Sequence, residues 1–272
     1  NDPATQSNVA TLRSRGFSVM EPAIGRLTGS DIGQGRFPET NEIITKFEEV
    51  TETEKDYLGK RVLITAGGTR EAIDPVRYIG NRSSGRQGAA VARAARDRGA
   101  DVKMIFANAQ LSPDEIRDLS GIEIVSVETA TEMFTALEES FPNSDLLVMS
   151  AAVADARPSQ YSEGKIKKGE LRDIALVENP DLLKSIAKLR TKQVVVAFAA
   201  ETNNDLAAAQ AKMEAKGANI LYLNNVSNGA IFGSLDTEGF IITSNGAQIE
   251  VPTSSKDSLA DLLLDQALIQ LG

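Results

Sequence analysis

The order of apolar and polar positions predicts alternating strands and helices between residues 59 and 272. Short uninterrupted apolar runs are typical of strands buried on both faces of a parallel sheet, whereas apolar positions three or four apart are typical of helices. The pattern therefore predicts an α/β fold with a doubly wound, mainly parallel, Rossmann-like sheet. The predicted strands are residues 61–66, 102–107, 122–127, 146–152, 194–199 and 220–223, and the predicted helices are residues 88–98, 130–140, 180–189, 205–216 and 255–271.

Two stretches of this region depart from the alternation. Residues 240–243 and 248–251 flank Asn245-Gly246, a pair that favours a type I′ turn, so we expect an inserted antiparallel hairpin before the last helix. Residues 154–174 match neither pattern. A long loop inside a compact domain is commonly functional.

Residues 1–58 have a different character from the rest of the chain. One helix is predicted over residues 4–16, residues 25–38 are rich in turn-forming residues, and residues 42–56 carry a weak, acidic helical pattern. This segment is too weakly apolar to form its own core. We interpret residues 1–58 as the C-terminal tail of an upstream domain plus a linker, and residues 59–272 as the main domain.

Composition narrows the possible chemistry. The chain has 272 residues and a formal net charge of -9, which argues against a general nucleic-acid surface, and it has no apolar run long enough to cross a membrane. It contains neither cysteine nor histidine, which excludes thiol and imidazole catalysis, disulfides and thiolate zinc sites. The groups that remain for binding and catalysis are the charged side chains of lysine and arginine, amides, and a hard metal ion. Because the chain begins without Met or a signal peptide, we expect a fragment of a longer cytoplasmic protein.

The most informative segment is residues 59–95, where a strand ends at Gly67-Gly68 and the loop of residues 80–85 opens an alanine-rich helix. Such loops offer backbone N–H groups and a positive helix end, which bind phosphate. The spacing is not G-x-G-x-x-G, as a nicotinamide-dependent Rossmann-type reductase would require, and a P-loop would continue with Lys and Ser or Thr. Tight turns and close packing remain the alternative explanation for the glycines.

Residues 150–168 follow a predicted strand, at the sheet edge where open α/β folds bind ligands. The small side chains of Ala151 and Ala152 would let a planar base or substrate approach the backbone. Asp155 could accept a hydrogen bond from an exocyclic amine or hold a metal-bound water. Lys165 belongs to a cluster of lysines that supplies positive charge, although an isolated lysine run is commonly a solvated surface.

Three further groups admit both a structural and a ligand-binding interpretation. Asn179 and Pro180 suit the start of a helix without any ligand, yet the same N–H groups could bind a phosphate or a ribose hydroxyl. Phe198 suits the core or a base-stacking position. Lys212 and Lys216 share one helix face, where they could complement the helix dipole or reach a triphosphate.

Several of these segments together resemble a known family. They are ITAGGTREAIDPVRYIGNRSSGRQG, SAAVADARP, KIKK, ENPDLL and AFAAETNN, in this order. Residues 59–272 thus resemble phosphopantothenate–cysteine ligase, the C-terminal half of a bacterial bifunctional coenzyme A biosynthesis protein, and residues 1–39 resemble the end of its flavin-dependent decarboxylase half. The resemblance implies that CTP converts 4′-phosphopantothenate to an acyl-cytidylate with release of pyrophosphate, and that L-cysteine then displaces CMP. No enzyme nucleophile is needed.

The resemblance also implies roles for particular residues. Asn81 would hold the acyl-cytidylate for its second step, and Lys165 would be the other catalytic residue. Ala151 would lie beside the reaction centre, and Ala152 would contact substrate. From the glycine pattern we add Gly67, Gly68 and Ser84 as weaker phosphate contacts. The implied CTP contacts are Ala151, Asp155, Lys165, Asn179, Pro180, Asp181, Leu182, Phe198, Lys212 and Lys216.

Cofactors and partners follow from the same resemblance. Mg²⁺ is expected with CTP, carried mainly by phosphate oxygens, and FMN only in the missing upstream decarboxylase domain. The family implies a cytoplasmic homodimer, with the Asn245-Gly246 hairpin as a candidate part of its interface. Two alternatives stay open: a Rossmann-type reductase, whose Tyr-x-x-x-Lys pair is only mimicked by Tyr161 and Lys165, and a non-catalytic nucleotide-sensing module.

Overall fold

The computed structural model describes residues 2–26, 31–51, 55–169, 173–201, 205–225 and 236–272. The chain divides into two compact units, Asn1–Glu54 and Lys55–Gly272. No helix in these ranges is both long and apolar enough to cross a membrane.

The first unit contains two helices and a two-stranded antiparallel hairpin. These are α1 (Pro3–Ser14), β1 (Ala23–Arg26), β2 (Ile32–Arg36) and α2 (Thr40–Thr51). The hairpin lies in the stretch that we interpreted only as turn-rich. No residue of this unit whose side chain the structure describes is buried, in keeping with its weakly apolar sequence. The origin of residues 1–58 in an upstream domain stays a prediction.

The second unit is built on an eight-stranded sheet. The strands of this unit are β3 (Arg61–Gly67), β4 (Arg70–Ala72), β5 (Tyr78–Gly80), β6 (Asp101–Ala107), β7 (Glu123–Val127), β8 (Leu146–Met149), β9 (Ala156–Pro158), β10 (Leu176–Glu178), β11 (Val194–Glu201), β12 (Ile220–Asn225), β13 (Asp236–Thr243) and β14 (Gln248–Ser255). Its helices are α3 (Arg86–Asp97), α4 (Pro113–Arg117), α5 (Ala130–Ser140), α6 (Leu182–Ile186), α7 (Leu206–Ala215) and α8 (Lys256–Leu271).

The order in the large sheet is β14-β13-β12-β11-β8-β3-β6-β7. The six strands from β12 to β7 are mutually parallel, and β13 and β14 add an antiparallel edge. This confirms the predicted fold class. Helices α3 and α8 pack on one face of the sheet and α5, α6 and α7 on the other. Successive residues of β3 alternate between the two cores, since Val62 and Ile64 face the α3 side and Leu63 the α5 side.

Several predicted boundaries were wrong. The strand predicted to reach residue 152 ends at Met149, and Ala152 then makes an isolated bridge to Gly68. The helix predicted from residue 180 begins at Leu182, because Asp181 is its N-cap and accepts a hydrogen bond from the Lys184 N–H. The stretch 154–174 contains β9, which pairs with β10.

The predicted hairpin of β13 and β14 is confirmed, but its turn is not type I′. A type I′ turn needs positive φ at both central residues. Gly246 has φ 89°, whereas Asn245 is not among the described residues with positive φ. The Gly246 N–H donates to the Thr243 carbonyl, and the Thr243 N–H donates to Ala247, so a three-residue loop closes the hairpin.

A buried arginine joins the start of this unit to its last helix. The Arg98 guanidinium donates to Asp56 at 2.8 Å, pairs with Asp265 at 2.8 Å and lies over the Tyr57 ring, 5.0 Å from its centroid. The hydrogen bond from Arg98 lowers the pKa of Asp56. Arg98 is only 7% exposed, so this pair lies mostly away from water.

We expect Arg98→Gln to lower the free energy of unfolding by about 2 to 3 kcal/mol, because it leaves a partly buried carboxylate without its cation. Arg93→Gln is the matched control, since Arg93 pairs with Asp257, whose side chain is 71% exposed. The control should cost less than about 1 kcal/mol. Urea denaturation followed by circular dichroism measures both, and equal losses would contradict a special role for Arg98.

Candidate functional site

A cleft opens at the carboxyl ends of the parallel strands β8, β11 and β12. Two adjoining cavities form it: the α6 cavity, of about 350 Å³, and the α3 cavity, of about 360 Å³. The cavities form one continuous cleft because they share five lining residues. These are Ala151, Val153, Asp155, Phe198 and Lys216.

The α6 cavity has a mixed apolar and polar wall. Phe198 is held edge-on against Tyr222, with ring centroids 5.6 Å apart. Asp155 is exposed, and its carboxylate forms no hydrogen bond or ion pair with the described part of the chain. The cavity is also lined by Asn179, Pro180, Asp181 and Leu182. It can therefore accept a flat, partly polar group such as a nucleobase or a sugar.

Asn179 has a structural task in this wall. Its Nδ2 donates to the Ala154 carbonyl at 2.8 Å, and its Oδ1 accepts from Arg157 at 2.8 Å. Asn179 is thus not the N-cap of α6 that the sequence suggested. It holds the loop that carries Asp155 instead.

The α3 cavity is positively charged. Five cationic side chains line it, and Asp155 is the single acidic residue among its described lining. Arg86 pairs with Glu115 at 2.7 Å and Lys212 pairs with Glu201 at 2.8 Å, and both of these acids lie outside this lining. In a chain of net charge -9, this is a local concentration of positive charge suited to a polyanion. The five cations are Arg82, Arg86, Lys212, Lys216 and Lys256.

The first turn of α3 borders this cavity. Gly85, its N-cap, has φ 78° and provides no capping side chain, so the helix end presents backbone N–H groups. Gly88 lines the cavity one turn later. A Cβ at Gly88 would meet the Ala66 Cβ at 2.5 Å, so glycine lets the helix start lie directly against β3.

The other glycines of this region have structural explanations. Gly67 has φ 86°, and a Cβ there would meet the Ala107 carbonyl oxygen at 1.8 Å; it lines none of the described cavities. The Gly68 N–H already donates to the Ala107 carbonyl at 2.9 Å. Close packing, the alternative raised from the sequence, therefore accounts for both glycines. Gly68 also lines a neighbouring cavity of about 410 Å³, and the phosphate contacts of Gly67 and Gly68 stay a prediction. Ser84 lines the α3 cavity, and its phosphate contact stays a prediction.

Asn81 connects two walls of the cleft. Its Nδ2 donates to the Val153 carbonyl at 2.9 Å, which ties the loop before α3 to the loop after β8. Residues 151–154 are also held by hydrogen bonds to two buried threonine side chains. Buried Thr65 accepts from the Ala151 N–H at 3.2 Å, and buried Thr69 accepts from the Ala154 N–H at 2.9 Å.

The structure does not bring Lys165 into the cleft. Lys165 is exposed and lines none of the described cavities. The next residue is anchored, since the Ile166 N–H donates to Asp74 at 3.2 Å and its carbonyl accepts from Arg77 at 2.6 Å. Burial tends to raise the pKa of Asp74, but hydrogen bonds from Val76, Arg77 and Ile166 N–H groups outweigh it and lower the pKa. The catalytic role of Lys165 stays a prediction.

Sequence analysis assigned no role to three cations of the α3 cavity, Arg82, Arg86 and Lys256. The hydrogen bond from Arg86 lowers the pKa of Glu115 to about 2, so Glu115 stays ionised and keeps its ion pair with Arg86 at neutral pH. Lys256 begins α8, and burial, with the nearby charge of Arg86, lowers its pKa. Arg82 and Arg86 lie in the glycine-rich segment around residues 80–85, whereas Lys256 belongs to no segment that the sequence singled out. Lys256 directly follows β14, so the antiparallel strands β13 and β14 place it at the cleft although it is distant in sequence from the other lining residues.

The cleft offers few ligands for a metal ion. Within the described ranges, no three carboxylates converge in a way that could hold one. A hard divalent cation here would take most of its oxygen ligands from a bound phosphate.

Comparison with known proteins agrees with the fold. The family model described as the DNA/pantothenate metabolism flavoprotein C-terminal domain matches residues 57–270. The coenzyme A biosynthesis bifunctional protein CoaBC of Mycobacterium tuberculosis (strain ATCC 25618 / H37Rv) is 44% identical over 279 residues, covering 97% of this chain and 66% of that protein. Its namesake in Vibrio cholerae is 39% identical over 266 residues, covering 96% of this chain and 65% of that protein. The chain thus spans just under two thirds of these relatives.

A solved structure is similar as well. The crystal structure of the C-terminal domain of coenzyme A biosynthesis bifunctional protein CoaBC aligns with a TM-score of 0.68 and 33% identity. The alignment covers 80% of this chain and 98% of that one.

Proposed function

Because this chain belongs to the family of DNA/pantothenate metabolism flavoprotein C-terminal domains, we propose that it is the phosphopantothenate–cysteine ligase part of a coenzyme A biosynthesis protein. Its substrates are CTP, 4′-phosphopantothenate and L-cysteine, and its product is 4′-phosphopantothenoylcysteine. The observation that carries the proposal is the continuous cleft, in which a mixed apolar cavity adjoins one lined by five cations. This arrangement suits a nucleoside triphosphate.

The reaction proceeds in two displacements. A carboxylate oxygen of 4′-phosphopantothenate attacks the α-phosphorus of CTP, the bond to the β-phosphate breaks, and pyrophosphate leaves. The amine of cysteine then attacks the acyl carbon, CMP leaves with the bridging oxygen, and the amine loses a proton. Neither step needs an enzyme nucleophile, which suits a chain without cysteine or histidine.

The cleft residues supply positioning and charge. Cytosine and ribose occupy the α6 cavity between Phe198 and the loop of Asp155, and the triphosphate lies in the α3 cavity. The N-terminus of α3, with Lys212 and Lys216, stabilises the charge that develops on the departing pyrophosphate. Mg²⁺, held mainly by phosphate oxygens, would neutralise further phosphate charge.

The proposal extends to the assembly. As the resemblance implies, we propose a cytoplasmic homodimer in which the β13–β14 hairpin contributes to the interface. An upstream decarboxylase domain, with its FMN, would precede this unit in the whole protein. The relatives support that part of the proposal, since each is called bifunctional and is longer than this chain.

A coupled pyrophosphate assay tests the function. We expect the release of pyrophosphate to require both CTP and 4′-phosphopantothenate, and we expect 4′-phosphopantothenoylcysteine to form only when cysteine is added.

UTP should support about 10- to 100-fold lower kcat/KM than CTP, because the carbonyl of uracil replaces the exocyclic amine of cytosine and would face an acceptor such as Asp155. Asp155→Asn should reduce this preference. CTP binding without pyrophosphate release would indicate a nucleotide-sensing module instead, and equal use of both nucleotides would show that the base pocket is misplaced.

A further inference from the structure

The loop that carries Asp155 is supported from outside the cleft by an arginine to which the proposed reaction gives no role. Arg157 lies on the short strand β9, is partly buried and lines none of the described cavities. Its guanidinium donates to the Asn179 Oδ1 at 2.8 Å and to the Glu178 carbonyl at 3.2 Å. Arg157 therefore contacts the wall of the α6 cavity without reaching the space inside it.

This contact sets the orientation of the Asn179 amide. An asparagine amide has a donor end and an acceptor end, whereas a guanidinium can only donate. Arg157 therefore requires the amide oxygen on its own side, which turns Nδ2 toward the Ala154 carbonyl, to which it donates at 2.8 Å. The backbone N–H of Asn179 donates to the Asp155 carbonyl, also at 2.8 Å. Asn179 thus holds the peptide groups immediately before and after Asp155.

The same arrangement leaves the Asp155 carboxylate available to a ligand. The side chain is exposed and forms no hydrogen bond or ion pair within the ranges that the structure describes, although the backbone on both sides of it is held. Its oxygens need not give up a protein partner before they accept from a ligand, and the loop need not become ordered first. These are the properties of a preorganised acceptor.

We propose that Arg157 is a positioning residue that sets the preference of the cleft for cytosine over uracil. The inference rests on the proposed function, in which the exocyclic amine of cytosine donates to an acceptor such as Asp155. Arg157 contacts neither the nucleotide nor the reacting atoms. It orients the Asn179 amide, and Asn179 fixes the position of Asp155. A small shift of this loop would weaken the hydrogen bond to cytosine but would not affect uracil, which has no amine to donate.

Steady-state kinetics of Arg157→Gln with CTP and with UTP test this role. We expect KM for CTP to rise about threefold to tenfold, and KM for UTP and for 4′-phosphopantothenate to change less than about twofold. The preference for CTP should fall accordingly, whereas general damage to the cleft would raise KM for both nucleotides. Arg157→Lys keeps a charged donor for Asn179 and should retain most of the preference. If Arg157→Gln fails to fold, Asn179→Asp replaces it, because that variant loses the donor to Ala154 and should also lose preference.

Arg190→Gln is the matched control. Arg190 donates to the Gln193 carbonyl at 2.8 Å and to the Asn219 Oδ1, so it makes the same kinds of hydrogen bond as Arg157. These bonds lie at the amino ends of β11 and β12, at the opposite edge of the sheet from the cleft. Arg190→Gln should therefore leave the ratio of kcat/KM for CTP and UTP unchanged.

A double variant shows whether Arg157 acts through Asp155. Asp155→Asn alone should reduce the preference for CTP, and adding Arg157→Gln to it should reduce that preference no further, because the two residues act on one hydrogen bond. A further loss in the double variant would mean that Arg157 acts by another route, and it would overturn the inference.

The outcomes also separate this inference from the function on which it rests. If the wild type releases no pyrophosphate with all substrates present, the proposed function fails. If the wild type turns over and prefers CTP, but Arg157→Gln keeps that preference or loses no more of it than Arg190→Gln, the inference is wrong while the function stands. Equal use of CTP and UTP by the wild type would overturn the inference in the same way.

Discussion

Lys165→Gln should slow formation of the acyl-cytidylate about 10²- to 10³-fold, equivalent to about 3 to 4 kcal/mol of barrier. The resemblance implies a catalytic role for Lys165, and we expect its charge to stabilise negative charge on the transferring phosphorus and the departing pyrophosphate. Lys165 is exposed beside an anchored Ile166, so its charge reaches the cleft only if the loop rearranges around the bound substrates. Loop closure of this kind is common in enzymes that must exclude water.

Lys168→Gln is the matched control, because Lys168 is an equally exposed lysine of the same loop. It should form the intermediate at nearly the wild-type rate, as expected for a solvated surface charge. Rapid-quench measurement of acyl-cytidylate compares the two variants. A normal rate for Lys165→Gln, or an equal loss in both variants, would show that Lys165 has no specific role in the first step.

Asn81→Asp should allow acyl-cytidylate to form but slow its reaction with cysteine about a hundredfold or more, so that the intermediate accumulates. Asn81 has no charge to offer the departing pyrophosphate. Its amide donates to the Val153 carbonyl at 2.9 Å, and an aspartate there would set a carboxylate against that carbonyl and beside the anionic acyl phosphate. The second step, which depends on orientation, should therefore suffer most.

Mass spectrometry of the enzyme-bound species measures this accumulation. Asn143→Asp makes the same chemical change at an exposed position beyond the end of α5 and should behave as the wild type. A folded Asn81→Asp protein that makes no intermediate would assign Asn81 to the first step. A variant that completes the reaction normally would show that Asn81 only shapes the turn.

The sequence predicted the large sheet well because each parallel strand is a continuous apolar run. It missed β4, β5, β9 and β10 because strands of three residues carry no measurable periodicity. It placed a type I′ turn at Asn245-Gly246, whereas the loop needs left-handed backbone only at the glycine. The residues Asn245-Gly246 are compatible with either turn, and the hydrogen bond from the Thr243 N–H to Ala247 shows that the three-residue loop is the one formed.

For the candidate site, residues that directly follow strands were the most predictable. Ala151, Asp155 and Phe198 meet in one cleft, as expected for carboxyl ends of neighbouring parallel strands. Lys256 was not predicted, because it starts a helix that the antiparallel strands β13 and β14 bring to the cleft. Its position depends on long-range packing, which leaves no sequence pattern around this residue.

The small hairpin of β4 and β5 has two ends with different tasks. Its strands place the Arg70 guanidinium over the Tyr78 ring, 4.7 Å from its centroid, while its turn carries Asp74, which accepts a hydrogen bond from the Ile166 N–H beside Lys165. The lowered pKa of Asp74 keeps its carboxylate ionised well below neutral pH. The anchor beside Lys165 therefore keeps its charge, and its hydrogen bond from the Ile166 N–H, at neutral and at mildly acidic pH.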